Sequence, residues 1–153
     1  MSNVKSPNRE LTAFDRYVIL RDLFQKMLGI PYIWGGSDPE VGLDCSGFVQ
    51  ILLEKINLDP PGDQTAQTLY NYFVGKAGTA EDVLGCGSLV FYGKDKNHIT
   101  HVAMMTDPDT VIEAGGGGRD CTSVKKARFL GACVRLRDFG HRRDMVAVLK
   151  PQF

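Results

Sequence analysis

Apolar residues recur with helical spacing in the first half of the chain and with strand spacing in the second half. Helical spacing predicts helices over 12–28, 45–57 and 63–74, and Asp44 and Asp63 are the expected N-caps of the second and third. Strand spacing predicts five strands, over 88–92, 99–106, 110–114, 132–137 and 145–149. Helices followed by strands indicate an α+β domain, with N-terminal helices packed on an antiparallel sheet of about five strands.

The length of the chain limits the number of domains, and its charge limits the classes of partner. The 153 residues fit one domain, which we expect over 11–153 after a loose polar arm over 1–10. The formal net charge is zero and there is no basic block, so neither nucleic acid nor a membrane is an expected partner. The first residues show no secretory apolar region, so we expect synthesis in the cytoplasm without an export signal.

The cysteines do not form a pattern typical of disulfides or metal sites. None of the four, at 45, 86, 121 and 133, belongs to a C-x-x-C pair. We interpret Cys86, Cys121 and Cys133 as buried or half-buried apolar residues. No metal and no cofactor are expected.

Cys45 has a different setting, because a turn-rich loop leads into the helix that begins there. A thiol at a helix N-terminus meets free backbone N–H groups and the positive end of the helix dipole, which favour the thiolate. Thiolate is the attacking species in cysteine catalysis. Cys45 is therefore a candidate nucleophile, although a lone cysteine at a helix start is more often structural.

His101 and Glu113 supply the partners that such a nucleophile needs. If the hairpin of strands 99–106 and 110–114 is symmetric about residue 107, Val102 pairs with Ile112 and His101 lies directly opposite Glu113. The carboxylate can then orient the imidazole, as in a catalytic triad. A histidine on a strand is usually a core residue and Glu113 can face solvent, but the three residues together favour a cysteine hydrolase.

Several other residues have weaker signals. Tyr32 and Trp34 suit either the core or the wall of a cleft, because they lie in the loop before Cys45. The glycines 115–118 lack the lysine of a phosphate loop, and we interpret them as a flexible turn near the cleft, with Arg119 as a candidate contact for a substrate carboxylate. His98 and His141 are interpreted as solvated.

Four blocks of the sequence resemble the NlpC/p60 family of papain-like cell-wall cysteine peptidases. They are Pro-Tyr-Ile-Trp-Gly-Gly at 31–36, Gly-Leu-Asp-Cys-Ser-Gly-Phe-Val-Gln at 42–50, Gly-Ser-Leu-Val-Phe at 87–91 and Thr-His-Val-Ala at 100–103. The resemblance extends over about residues 31–114 and includes the final strand pair. The block Asp-Cys-Ser-Gly-Phe with a downstream His-Val is its most specific part.

The resemblance implies a papain-like α+β fold and hydrolysis of amide bonds in peptidoglycan stem peptides, commonly between D-γ-glutamate and a diamino acid. By position, Cys45 matches the nucleophile, His101 the base and Glu113 the third polar residue. Tyr32 matches a tyrosine beside the nucleophile. Asp44 and Ser46 match positions that bind the amino end of the stem peptide in some relatives, and Trp34 completes the expected substrate-binding set.

The sequence also departs from the family pattern. Glu113 stands where the family more often has His, Asn or Gln, and Ser88 replaces the usual aspartate. Cell-wall-binding repeats are not found, and a short catalytic domain of this kind suits a phage protein or a delivered effector that reaches the wall after lysis or on a particle. Two alternatives remain open: a thiol-dependent amidase or acyltransferase on a non-wall amide, and a non-catalytic assembly module.

Overall fold

A computed structural model describes residues 9–153, and the order of its main elements is the predicted one. The predicted N-terminal arm lies outside the described residues except for Arg9 and Glu10. The helices of the described part are α1 (Ala13–Met27), α2 (Cys45–Lys55), α3 (Ala66–Val74) and α4 (Val124–Leu130). Its strands are β1 (Ser37–Asp38), β2 (Gly42–Leu43), β3 (Ala80–Glu81), β4 (Leu89–Gly93), β5 (Ile99–Asp107), β6 (Thr110–Gly115), β7 (Cys133–Asp138) and β8 (Met145–Lys150).

The main sheet is antiparallel and has the order β3-β8-β4-β5-β6-β7. Within residues 9–153 it has six strands, one more than the sequence predicts, because the two-residue β3 pairs with β8. A second hairpin, of β1 and β2, lies in the loop before α2. Strands of two residues are too short to show a period, which explains why the sequence pattern missed them.

Helix caps follow local side-chain chemistry, and one predicted cap is wrong. The N-cap of α3 is Thr65 instead of Asp63, because Thr65 and Thr68 satisfy each other's backbone N–H groups reciprocally. The short helix α4 was not predicted, although Ser123 caps its start and Gly131 ends it with a φ of 66°. Asp63 instead lies on the wall of the cleft described below.

The main core lies between the helices and one face of the sheet. In α1, Leu20, Phe24 and Met27 are buried, whereas Tyr17 and Leu28, which lie in the same predicted helix, are exposed. The sheet contributes buried residues that alternate along its strands, namely Leu89, Phe91, Val102, Met104, Ile112 and Ala114.

The opposite face of the sheet carries a smaller apolar cluster, in which Tyr92, Ala103 and Val111 are fully buried. Because strand side chains alternate, His101 and Glu113 continue this face. Helix α2 packs against β5 and β6. Its first residue therefore comes close to the strand pair that carries the histidine and the glutamate.

No helix among residues 9–153 has both the length and the apolar character that a membrane span requires.

Candidate active site

Cys45 is the first residue of α2, and a compact loop fixes this helix start. The Asp44 side chain caps the helix, accepting a hydrogen bond from the Gly47 N–H at 2.7 Å and one from the Ser46 hydroxyl at 3.3 Å. The Asp44 N–H in turn donates to the Gly36 carbonyl at 3.0 Å. Gly47 has no space for a side chain, because a Cβ there would collide with that same carbonyl. The backbone thus holds Cys45 at the mouth of the cleft.

Tyr32 and Trp34 take different positions beside this helix start. Tyr32 is buried, and burial together with the proximity of Cys45 and Asp44 raises the pKa of its hydroxyl, which stays protonated. Trp34 is 48% exposed, and the Arg119 guanidinium lies over its ring at 5.5 Å from the centroid. Both line the cleft, so the cleft-wall interpretation holds for Trp34, and Tyr32 serves both core and cleft.

His101 and Glu113 meet as the sequence predicts, but in a different strand register. The distance from His101 Nε2 to Glu113 Oε2 is 2.9 Å, and both side chains are buried. The predicted pairing of Val102 with Ile112 is wrong, because Ile112 pairs with Met104 across an irregularity between Met105 and Asp107. The offset is two residues, and an even offset leaves each side chain on its predicted face. The contact therefore survives as a diagonal one.

The electrostatics of this pair favour an imidazolium beside a carboxylate. Burial lowers the pKa of His101, but the contacts with the Cys45 thiol and with Glu113 outweigh it and raise this pKa to about 9. Burial raises the pKa of Glu113, yet the contact with His101 and the charge of Arg135 hold it well below its usual value. The ring nitrogen that does not face Glu113 is left for Cys45.

His141 is the residue of this cluster that the sequence analysis missed. It was interpreted as solvated, but its side chain is only 10% exposed, with Nε2 2.9 Å from Glu113 Oε1. Its Nδ1 lies 2.9 Å from the Asp138 carbonyl oxygen. The loop between β7 and β8 brings it there, and nothing in the sequence spacing indicates that approach. His98, by contrast, is exposed and pairs with Asp95.

These residues line one cleft of about 1050 Å³. Asp44, Ser46 and Asp63 contribute to it from the start of α2 and the loop before α3. Arg119, Arg135 and Arg137 also line it, as do the glycines 115–118. The lining therefore offers carboxylates to a ligand amine and guanidinium groups to ligand carboxylates.

The remaining cysteines behave as expected. All four are free thiols, with Cys121 buried and Cys86 and Cys133 half-buried. Among residues 9–153, no three His, Cys, Asp or Glu side chains are grouped as metal ligands would be.

The sequence pattern of the NlpC/P60 family matches residues 29–137, a range that contains Cys45, His101 and Glu113. The chain belongs to the NlpC/P60 family. The α+β architecture of this NlpC/P60 domain, with helices packed on an antiparallel sheet, is the one that the sequence predicted.

Curated relatives of this NlpC/P60 domain include three proteins named as peptidases or probable peptidases. The chain is 33% identical over 102 residues to the bifunctional muramidase/DL-endopeptidase CwlT of Bacillus subtilis, covering 65% of the chain and 30% of the relative. It is 38% identical over 115 residues to the probable endopeptidase YafL of Escherichia coli, covering 71% and 45%. It is 33% identical over 89 residues to a gamma-D-glutamyl-L-lysine dipeptidyl-peptidase of Bacillus cereus, covering 57% and 25%. The chain thus spans less than half the length of each of these relatives.

Solved NlpC/P60 structures share the fold at low sequence identity. The peptidoglycan hydrolase RipB of Mycobacterium tuberculosis superposes with a TM-score of 0.66 at 20% identity, covering 91% of this chain and 65% of RipB. RipD of the same organism superposes with a TM-score of 0.63 at 17% identity, covering 90% and 98%. RipD is described as a non-catalytic domain protein adapted to peptidoglycan binding. The fold therefore does not by itself decide between cleavage and binding.

Proposed function

We propose that this domain is a cysteine peptidase that hydrolyses amide bonds in peptidoglycan stem peptides through Cys45, His101 and Glu113. One observation carries the proposal: a single buried imidazole shares the cleft with the Cys45 thiol, interacts with it, and lies 2.9 Å from the Glu113 carboxylate. A nucleophile, a base and a group that orients the base are what covalent amide hydrolysis requires.

The chemistry follows from this order of groups. Cys45 Sγ attacks the amide carbonyl carbon, and the new S–C bond produces a tetrahedral oxyanion near the first N–H groups of α2, which lack partners within the helix. Protonated His101 gives its proton to the nitrogen as the C–N bond breaks, which releases the amine and leaves a thioester. Water, deprotonated by the now neutral His101, attacks the thioester; the S–C bond breaks, and the carboxylic acid leaves.

Glu113 and Tyr32 support these steps without bonding to the substrate carbon. The Glu113 carboxylate keeps the His101 ring oriented and stabilises the imidazolium. The Tyr32 hydroxyl, kept protonated by burial beside Cys45, is available as a hydrogen-bond donor near the reacting atoms. Asp44 and Ser46 are proposed to bind the amino end of the stem peptide, with Trp34 as an apolar wall.

The charged residues that line the cleft support a D-γ-glutamyl bond to a diamino acid as the scissile bond. The acidic side chains suit the free amine of a short peptide, and the arginines suit the carboxylates that γ-linked glutamate and its neighbours retain. The similarity to a gamma-D-glutamyl-L-lysine dipeptidyl-peptidase points to the same class of bond.

The test is digestion of purified sacculi and a defined muropeptide by wild type and Cys45→Ala, with fragments identified by mass spectrometry. We expect wild type to release stem-peptide fragments and Cys45→Ala to lose at least about 10³-fold of that rate, because the nucleophile is gone. Cys133→Ala, which removes another half-buried thiol, is the matched control and should cleave normally.

Three results would contradict the proposal. Equal cleavage by Cys45→Ala would exclude Cys45 as nucleophile. Tight binding of sacculi by wild type with no released fragment would instead favour the binding role described for RipD. A trapped acyl-enzyme whose acyl group does not come from the wall would identify an amidase or acyltransferase.

A further inference from the structure

Glu113 is held between two imidazoles, one on each carboxylate oxygen. Oε2 lies 2.9 Å from His101 Nε2, and Oε1 lies 2.9 Å from His141 Nε2. The Glu113 side chain is 3% exposed, so it has little access to bulk water. A buried carboxylate needs partners for both oxygens, and here both are histidines.

Both contacts are short but bent, which makes the placement of the two rings important. Neither His101 Nε2 nor Glu113 Oε1 takes part in a well-aligned hydrogen bond. A single bent contact leaves the carboxylate free to turn about its last torsion, which is broad for glutamate. A second contact on the other oxygen removes that freedom. The orientation that Glu113 offers to His101 therefore depends on His141.

His141 is itself fixed at its other nitrogen. Its Nδ1 lies 2.9 Å from the Asp138 carbonyl oxygen, which can only accept, so Nδ1 carries a hydrogen. The Glu113 carboxylate is an acceptor as well, so Nε2 donates to it when the ring is an imidazolium with a hydrogen on both nitrogens. The Tyr92 ring packs against His101 and His141, with centroid distances of 5.5 and 5.9 Å. The imidazole is thus anchored by the strand end of β7 and by β4 before it contacts Glu113.

The charged and titratable groups around Glu113 come from every element packed against it. They are His101 on β5, Tyr92 on β4, Arg135 on β7, and His141 and Arg142 in the loop before β8. Arg135 pairs with Glu113 in the β6–β7 register, but its guanidinium extends along the glycines 115 and 116. Arg142 is engaged by Asp144 at 2.7 Å. Of the basic groups that the structure describes, the two histidines are the ones with a nitrogen within 4 Å of the carboxylate oxygens.

We propose that His141 is a positioning residue: it fixes the carboxylate of Glu113, which holds the His101 ring against Cys45. The inference rests on the proposed function in taking Cys45 and His101 as a reactive pair. The site is accordingly a chain of four groups, in the order Cys45, His101, Glu113, His141, that runs from the cleft into the loop between β7 and β8.

The reactivity of the Cys45 thiol tests this without any substrate. The rate of alkylation of Cys45 by iodoacetamide is measured by mass spectrometry of the peptide that contains residue 45, across the acid and alkaline range. A thiol paired with an imidazolium reacts well at neutral pH, whereas an ordinary thiol reacts only towards its usual pKa of about 8.5. The wild type should show the first profile.

The variants separate positioning from packing. His141→Ala should lower the alkylation rate of Cys45 at neutral pH by about 10-fold, because removing a residue that orients a metal-bound imidazole typically costs about 10–100-fold. It should also move the pH profile towards that of an ordinary thiol. His141→Gln offers an amide N–H at similar reach and should retain most of the rate. His98→Ala removes an exposed histidine with its own partner, Asp95, and should match wild type.

A double-mutant cycle locates the effect. In a Glu113→Gln background, His141→Ala should cause no further loss, because the proposed effect passes through the carboxylate. Wild-type rate and profile in folded His141→Ala, or an equal loss in both backgrounds, would overturn the proposal. If His141→Ala fails to fold, His141→Gln and His141→Asn carry the test: a wild-type profile in His141→Asn, whose amide cannot reach Glu113 as a glutamine can, would overturn it.

Failure of the proposed function would leave a different signature. If wild type does not cleave sacculi but the alkylation pattern is as expected, the four-group chain stands and the peptidoglycan substrate is rejected.

Discussion

Tyr92 lies directly opposite His101 in the β4–β5 pairing, and its hydroxyl is buried without a hydrogen-bond partner among residues 9–153. The Arg142 guanidinium covers the ring at 4.9 Å from its centroid. Burial, with the negative charge of Glu113, raises the pKa of Tyr92 to about 12. The ring therefore acts as a rigid spacer between the two histidines, and its hydroxyl contributes no stabilising contact.

This relationship predicts that Tyr92→Phe keeps the free energy of unfolding or raises it by about 1 kcal/mol, because an unsatisfied buried hydroxyl is destabilising. Tyr92→Ala should lower the free energy of unfolding by about 3–5 kcal/mol, since it leaves a cavity between the rings. Urea denaturation measures both. A clear loss of stability in Tyr92→Phe would mean that the hydroxyl has a partner.

The raised pKa of His101 predicts a specific pH dependence of stability. A group whose pKa rises on folding stabilises the folded state fully below its unfolded value, and that stabilisation is lost as the pH rises through the folded value. The free energy of unfolding should therefore fall between pH 6.5 and about pH 9. The full shift corresponds to about 3 kcal/mol, shared between the contacts with Cys45 and Glu113.

Glu113→Gln should flatten this fall by about 1–2 kcal/mol, since the amide no longer stabilises the imidazolium. It should also reduce the loss of stability in acid, because the lowered pKa of Glu113 favours the folded state above its unfolded value of 4.5 and that benefit disappears as the pH falls. Denaturant titrations at several pH values measure the change in stability on both the acid and the alkaline side. An unchanged alkaline slope in Glu113→Gln would show that Cys45 alone shifts His101.

Asp44 has two roles that substitution can separate. Asp44→Ala removes the N-cap of α2 and should lower the free energy of unfolding by about 1 kcal/mol. Asp44→Asn retains a capping side chain, so stability should stay near wild type, while KM for a peptide with a free amino end should rise through loss of the carboxylate charge. Equal KM values for wild type and Asp44→Asn would limit Asp44 to capping.

Gly47→Ala tests how tightly the start of α2 is fixed. The added Cβ would collide with the Gly36 carbonyl and with Asp44 Oδ1, so the loop or the helix start must shift. We expect a loss of about 1–3 kcal/mol in the free energy of unfolding and a slower alkylation of Cys45. Gly85→Ala is the matched control, because its Cβ would meet nothing within 4 Å.

The position of Cys45 was predictable because its determinants are local. Asp44 is a good cap, the apolar stripe of α2 follows at once, and Cys45 lies between them. The cap of α3 is Thr65, two residues after the predicted Asp63, because Thr65 has a reciprocal partner in Thr68. Local sequence signals thus predict that an element is present more accurately than they predict its first residue.

The contacts of Glu113 show where local signals end. The turn residues predict a hairpin, but its register depends on the irregularity between Met105 and Asp107, which the sequence does not mark. His141 reaches Glu113 from a loop 28 residues further along the chain, so no periodicity connects them. Its part in the site follows from how β7 and β8 are placed, which is a property of the whole sheet.

The reactive pair is divided between two layers, since Cys45 belongs to a helix and His101 to the sheet. A small separation of these layers breaks the contact while each layer retains its own hydrogen bonds. Mild heat or a low concentration of denaturant should therefore lower the reactivity of the Cys45 thiol before the global unfolding transition begins. The range of temperature over which Cys45 is reactive is then narrower than the melting curve of the protein suggests.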